Sequence, residues 1–172
     1  MQTKQKTCKD SLVTMTEMVL PNDTNALNNL MGGRLMYLMD IAAAIAAQKH
    51  SKRVVVTASV DNISFKEPIV LGDVLTIKAF VTRSFNSSME VYLEVEVENI
   101  LMGKKVQTNK AFFTFVAVDQ TGKPIPVPEV VPETDFEKEL YAGALRRRQL
   151  RLVLANRMKP DEATELKSLF MM

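Results

Sequence analysis

The run from Leu35 to Ala47, LMYLMDIAAAIAA, limits what this chain can fold into more than any other segment, because it is the most apolar stretch present. Its Leu, Met and Ala are good helix formers. The helix predicted over Arg34 to Lys49 is apolar almost all round, so it must be enclosed on more than one side. It falls short of the roughly 20 apolar residues that a membrane span requires, and it carries Asp40 near its middle. It therefore reads as a buried helix of a cytoplasmic protein with no membrane partner. One sheet face cannot cover such a helix, whereas a curled sheet together with a second subunit can.

The flanking sequence supplies that sheet. Residues 11–20 (SLVTMTEMVL) read as a first strand. After the helix the period changes to two. Val54 to Val60 is β-branched and strand-like, and Val74 to Arg83 sets Leu75, Ile77, Ala79 and Val81 on one face. Met89 to Asn99 places Met89, Val91, Leu93, Val95 and Val97 opposite Glu90, Tyr92, Glu94, Glu96 and Glu98, the pattern of an antiparallel strand with one face in water. Asn86-Ser87-Ser88 and Gly103-Lys104-Lys105 read as turns, the second leading into a last strand, Val106 to Val118. The expected class is α+β, a long helix against a curled antiparallel sheet. Pro124, Pro126, Pro128 and Pro132 then mark a change of character. Phe136 to about Met158 reads as a charged helix ended by Pro160, and Asp161 to Met172 as a short helix or tail. The division expected is one domain over residues 8–132 and a helical extension over 133–172.

A net charge of +2 gives no global field for nucleic acid. The run Arg146 to Leu152, RRRQLRL, has no interleaved stacking aromatic, so it reads as a helix face that packs across subunits and not as a nucleic-acid site. Cys8 is the only cysteine and cannot form an internal disulfide, which fits a free thiol on a frayed end in a reducing compartment. The N-terminal residues have no apolar run behind them and do not read as a signal peptide. His50 is the only histidine, so no Ser-His-Asp or Cys-His arrangement is implied. It reads as a residue favourably placed at a helix C-terminus. No metal-ligand spacing and no cofactor motif is present in the sequence, and none is expected.

Two features carry chemistry. Asp40 sits inside an apolar window, where a carboxylate is costly unless it is paired or used. It either bonds backbone or a serine across an interface, or performs chemistry. Asn25, Asn28 and Asn29 run into Gly32-Gly33. Free N–H groups at the helix start can hold a developing negative charge, and the diglycine admits a ligand close to the backbone. Alternatively, the asparagines only build a turn and cap.

In order along the chain, Pro21 to Asn25, Asn29 to Gly33, Leu38-Met39-Asp40, Val56 to Asp61, Phe65 to Pro68 with Gly72-Asp73, Ser87 to Glu90 and Val127 to Glu133 resemble the acyl-CoA hydrolases of the hotdog superfamily. The resemblance covers roughly residues 12 to 150 and is nearest to the brain-type hydrolase and its bacterial short-chain relatives. It implies a helix wrapped by an antiparallel sheet, dimers whose sheets join, trimers of those dimers, and active sites at subunit interfaces. The implied reaction hydrolyses acyl-CoA to a free acid and CoA, with CoA part of the substrate and no separate cofactor. Asn25 and Asp40 match the family's catalytic pair, which meets from opposite protomers. Gly32 and Gly33 would face the thioester oxygen, and Thr57, Ala58 and Ser88 would line the path of CoA. Arg83, Lys104, Lys105 or Arg146 to Arg148 could meet its phosphates. Met31 and Asn28 depart from the family pattern and leave acyl preference open. A non-catalytic acyl-CoA sensor and an acyl-thioester hydratase are the alternatives, although His50 is poorly placed for the second.

Overall fold

The computed structural model describes residues 5–61, 63–64 and 67–168. In chain order it contains β1 (Lys6–Thr7), β2 (Val13–Met18), α1 (Gly32–Ser51), β3 (Val54–Asp61), β4 (Val74–Ser84), β5 (Ser88–Asn99), β6 (Lys104–Val118), β7 (Val130–Val131), α2 (Asp135–Leu154) and α3 (Thr164–Lys167). The five long strands form one antiparallel sheet in the order β2-β4-β5-β6-β3, and β1 pairs with β7 in parallel. Both diglycine residues lie inside the first turn of α1, two residues earlier than the sequence suggests. Phe65 and the last residues of the Asp161–Met172 segment fall outside the described residues.

The apolar alternation predicted for β4 and β5 lines the inner face. Leu75, Ile77, Ala79, Val81, Met89, Val91, Leu93 and Val95 are buried there with Phe113 and Phe115 of β6. Against them lie Leu35, Leu38, Met39 and the alanines 42, 43, 46 and 47 of α1. Small side chains on the helix bring its axis close to the sheet, so large residues on the strands fill the space between.

The outer face departs from expectation. Glu90 is only 1% exposed and Tyr92 only 3%, although both sit on the face predicted to meet water. The reason is α2, which lies across this face. Arg147 donates from Nε and Nη2 to the two carboxylate oxygens of Glu90 at 2.9 and 2.8 Å. Thr82 adds a third donor at 2.7 Å. Arg147 also stacks on Phe112, its Cζ 3.8 Å from the ring centre. Tyr92 meets Phe80, Phe112 and Phe136. Gly143 explains itself here: a Cβ at that position would lie 2.6 Å from Nη1 of the clamped Arg147. The arginine helix therefore docks on its own sheet, whereas the sequence suggested contact across subunits. It starts at a capping box in which Thr134 accepts from the Glu137 amide, and it ends at Leu154, before Pro160.

One further expectation fails. Cys8 is buried and not frayed, and burial pushes its thiol up to about 12. The β1–β7 pair ties down this end of the chain, with Lys6 N–H donating to the Glu129 carbonyl. His50 lies in the last turn of α1, at the helix end the sequence suggests, but it is fully buried, and burial lowers its pKa. One ring nitrogen, Nε2, bonds the Pro128 carbonyl at 2.8 Å.

Candidate active site

The loop ahead of α1 is built by its asparagines. The Asn25 side-chain oxygen accepts from the amides of Leu27 and Asn29 at 2.9 and 3.2 Å. Asn28 adopts a left-handed φ of 57°, which asparagine tolerates better than most residues. Arg34 then fixes the loop to the helix through Asp23, Nε to Oδ1 at 2.7 Å. The turn-building role is therefore real, and it leaves the Asn25 amide NH2 uncommitted to this network. Asn25, Gly32, Leu35, Glu67 and Ile69 line a cavity of ≈ 400 Å³ at the helix start.

The N–H groups of Gly32 and Gly33, in the first helical turn, have no intrahelical acceptor. Met31 offers no side-chain cap to them. Gly33 is exposed, and a Cβ built on it would meet nothing within 4 Å. Crowding within the chain does not demand glycine at this position; open space lies beside it.

Two turns further along α1, Asp40 occupies the same helix face. It is half-buried and not enclosed as its apolar neighbours in sequence suggested, because this side of α1 is left uncovered by the sheet. Met36, Tyr37 and Ile45 on that side are 37%, 56% and 42% exposed. The Thr57 hydroxyl donates to Oδ1 of Asp40 at 2.8 Å. That bond fixes one carboxylate oxygen, Oδ1, of the half-buried Asp40. Sequence reasoning placed Thr57 on the CoA path and missed this contact. The available signal was its position on the strand that follows the helix.

Thr57 reaches Asp40 from the inner face of β3, and the strand becomes irregular just beyond it. The register with β6 shifts between Thr57 and Ser59, leaving Ala58 as the extra residue of a bulge. Thr57 pairs with inner-face Phe115, whereas Ser59 pairs with outer-face Thr114. Ala58 is exposed on this edge strand. Ser88 lies elsewhere, beside Val116 on the outer face, where Arg148 donates to its hydroxyl at 3.2 Å. Within one chain the structure thus groups Gly32, Gly33, Asp40 and Thr57 along the open side of α1. It does not bring Ser88 to them, and no hydrogen bond joins Asn25 to Asp40.

The basic residues suggested for phosphate contact are largely engaged. Lys105 pairs with Glu96 at 2.6 Å, and Arg147 with Glu90. Arg83 stacks over Tyr141 at 4.3 Å and donates to its carbonyl. Among the described residues no group of three or more His, Cys, Asp or Glu is arranged to hold a metal ion.

Residues 27–103 match the family model of the thioesterase superfamily. A Bacillus subtilis protein, the uncharacterized acyl-CoA thioester hydrolase YkhA, is 44% identical over 140 residues, 81% of each chain. The chain belongs to the acyl-CoA thioester hydrolases of this superfamily. This thioesterase superposes on an apo-hexameric acyl-CoA thioesterase with a TM-score of 0.85 and 42% identity, over 90% of its own length and 98% of the other. It also superposes on an acyl-CoA hydrolase from Staphylococcus aureus in complex with butyryl-CoA, CoA and CoA disulfide, with a TM-score of 0.82 and 38% identity over 90% and 96% of the two chains. Variants of the Staphylococcus aureus enzyme with one asparagine, one aspartate or one threonine replaced by alanine have been solved as well. The hotdog fold expected from the sequence is the fold of this thioesterase.

Proposed function

We propose that the chain hydrolyses acyl-CoA to a free acid and CoA in a site completed by a second copy of itself. The observation that carries this reading is the Thr57–Asp40 bond at 2.8 Å on the uncovered side of α1, two turns from the free N–H groups of Gly32 and Gly33. The thioester carbonyl would lie against those N–H groups, whose position at a helix start suits a developing oxyanion. Asp40, with Oδ1 held by Thr57, would take a proton from water through Oδ2. The water oxygen bonds the carbonyl carbon, the C–S bond breaks, and the thiolate leaves with the proton that Asp40 acquired. Direct attack by Asp40, forming an anhydride that water then opens, uses the same geometry.

The partner subunit's Asn25 would orient the water or the carbonyl. Three considerations support this arrangement. Asn25 and Asp40 are not bonded within one chain, apolar residues surround Asp40 on the open face, and β3 presents an unpaired edge to a second sheet. The residues replaced by alanine in the Staphylococcus aureus enzyme are an asparagine, an aspartate and a threonine at the same mutual spacing as Asn25, Asp40 and Thr57. Ala58 would line the pantetheine path; Ser88 could do so only for a CoA molecule bound across another subunit. A trimer of dimers is the assembly in this reading, as the hexameric neighbour suggests. Water and acyl-CoA are the only reactants, and no cofactor enters. No helix among the described residues is long and apolar enough to cross a membrane. The cytoplasm is the compartment we assign, as for the cytosolic acyl coenzyme A thioester hydrolase of the rat.

The test is release of free CoA from an acyl series, acetyl to palmitoyl, followed with a thiol reagent. Asp40→Ala should lower turnover by about 10²–10⁴-fold, the range expected when a general base is removed, with the melting temperature nearly unchanged. Release within a few-fold of wild type would remove Asp40 from its role, and tight acyl-CoA binding without any release would turn the protein into a sensor. Mixing Asp40→Ala with Asn25→Ala subunits should restore about a quarter of wild-type activity, because half the dimers are hybrids and each hybrid holds one intact site. No recovery would place the two residues in the same protomer's site.

A further inference from the structure

The outer face of the sheet holds a second cavity, of ≈ 880 Å³, between the C-terminal half of α2 and strands β3 and β6. Its size is within the range of small-molecule sites. It is separated from Asp40 by the sheet, since Ser59 and Asp61 line it from the face opposite that of Thr57. From the helix side, Arg147, Leu150, Arg151 and Leu154 face it at positions i, i+3, i+4 and i+7 of one stripe.

The chemistry of the lining is divided. Leu150 and Leu154 are 44% and 75% exposed, and Phe112 lies across from them on β6. These give one apolar wall that nothing among the described residues covers. The polar groups gather around β3. Arg147 is committed to Glu90, but among the described residues Arg151 has a single bond, Nη1 to Asp61 at 3.1 Å, for its five donors. Lys110, also in the lining, forms no ion pair among the described residues. Glu94, opposite it in the ladder, accepts from Tyr92 instead. The hydroxyl of Ser59 is buried without a hydrogen-bond partner among the described residues, as is that of its cross-strand neighbour Thr114.

Among the residues that line the cavity, Arg151 is paired with Asp61 and Arg147 with Glu90 behind it, and Lys110 remains. The cavity therefore carries one net positive charge beside an alkyl-lined wall. We propose that it binds an amphipathic monoanion, a free alkyl carboxylate, with the carboxylate at Arg151 and Lys110 and the chain along Leu150, Leu154 and Phe112. A nucleotide polyphosphate fits poorly, because its several negative charges would stand beside Asp61 with only one cation left to answer them. The acid that thioester hydrolysis releases belongs to the alkyl carboxylate class, so occupancy would let accumulated product report to the enzyme from outside the catalytic site. Binding itself does not depend on hydrolysis, and the two can fail separately.

The test is fluorescence titration of the intact oligomer with 11-(dansylamino)undecanoic acid, followed by displacement with sodium laurate. The expected result is saturable binding that persists in Asp40→Ala and in the presence of excess CoA. Leu154→Asp, at an exposed position remote from Asp40, should weaken binding by tenfold or more while CoA release and the melting curve stay as in wild type. Lys110→Gln should weaken it several-fold, and methyl laurate should displace the probe far less well than laurate. Unchanged binding in a folded Leu154→Asp variant would overturn the proposal. So would loss of probe on adding CoA, which would place it in the catalytic site, or equal displacement by the methyl ester, which would reduce it to apolar adhesion.

Discussion

The two faces of the sheet are closed by helices of the same length and opposite character. Inside, α1 meets β4, β5 and β6 through apolar side chains, alanines, leucines and Met39 from the helix against aliphatic residues and phenylalanines of the strands. Outside, α2 is held by directional bonds: Arg147 on Glu90 and Phe112, Arg151 on Asp61, Arg148 on Ser88, Arg83 on Tyr141. An apolar interface depends on area and packing and tolerates small shifts. An interface of clamped ions depends on geometry and leaves a costly charge behind when one member is lost. The first kind is written in the sequence as a period. The second is written as single residues more than fifty positions apart, such as Glu90 and Arg147, and has no period to read.

That contrast can be broken at either face. Phe113 is fully buried on the inner face, and Phe113→Ala should cost about 4 kcal/mol, read from urea unfolding. On the outer face, Glu90→Ala leaves Arg147 without its carboxylate. Because the arginine side chain is 25% exposed and can turn to water, the loss should be about 3 kcal/mol, at the low end for a buried pair. Replacing both partners together, Glu90→Leu with Arg147→Met, should recover most of that loss; if the double variant is as unstable as the single one, the clamp is not what holds α2. Thr134→Ala removes the cap that starts α2 and should cost about 1 kcal/mol in the same assay.

A smaller, pH-dependent effect belongs to the seam where α1 ends. Burial holds the His50 pKa below 6.5, so the unfolded chain binds the proton more readily than the folded one. Stability should be complete above pH 6.5 and decline as pH falls through the interval below it. His50→Gln should flatten this part of the melting-temperature profile; a slope of unchanged size would assign it to other groups.

Much of the fold is legible in the sequence. The apolar run around Asp40 fixes α1, and the alternation in β4 and β5 fixes which residues face it. What could not be read is what covers the other side. Glu90, Tyr92 and Glu94 alternate as a solvated face does, and only the later arrival of α2 converts two of them into buried groups. Cys8 reads as a free end because nothing in its own neighbourhood announces the parallel pairing of β1 with β7. At the candidate site, Asp40, Gly32 and Gly33 could be located from pattern and resemblance. The Thr57 contact had one signal, its place on the strand that follows the helix, whereas the bulge that turns Ser59 the other way leaves no mark in VVVTASVD. Ser88 was grouped with Thr57 on resemblance alone, and the pleat sends the two to opposite sides.

The extra residue at Ala58 has one more consequence. In a regular strand the side chains at 57 and 59 would share a phase, and both hydroxyls would point the same way. The insertion resets the phase by half a period, so a single edge strand delivers one hydroxyl to Asp40 and the next to the cavity beneath α2. Substitutions at 57 and at 59 can therefore vary independently, one altering the bond to Asp40 and the other the wall of the outer cavity, although only one residue separates them.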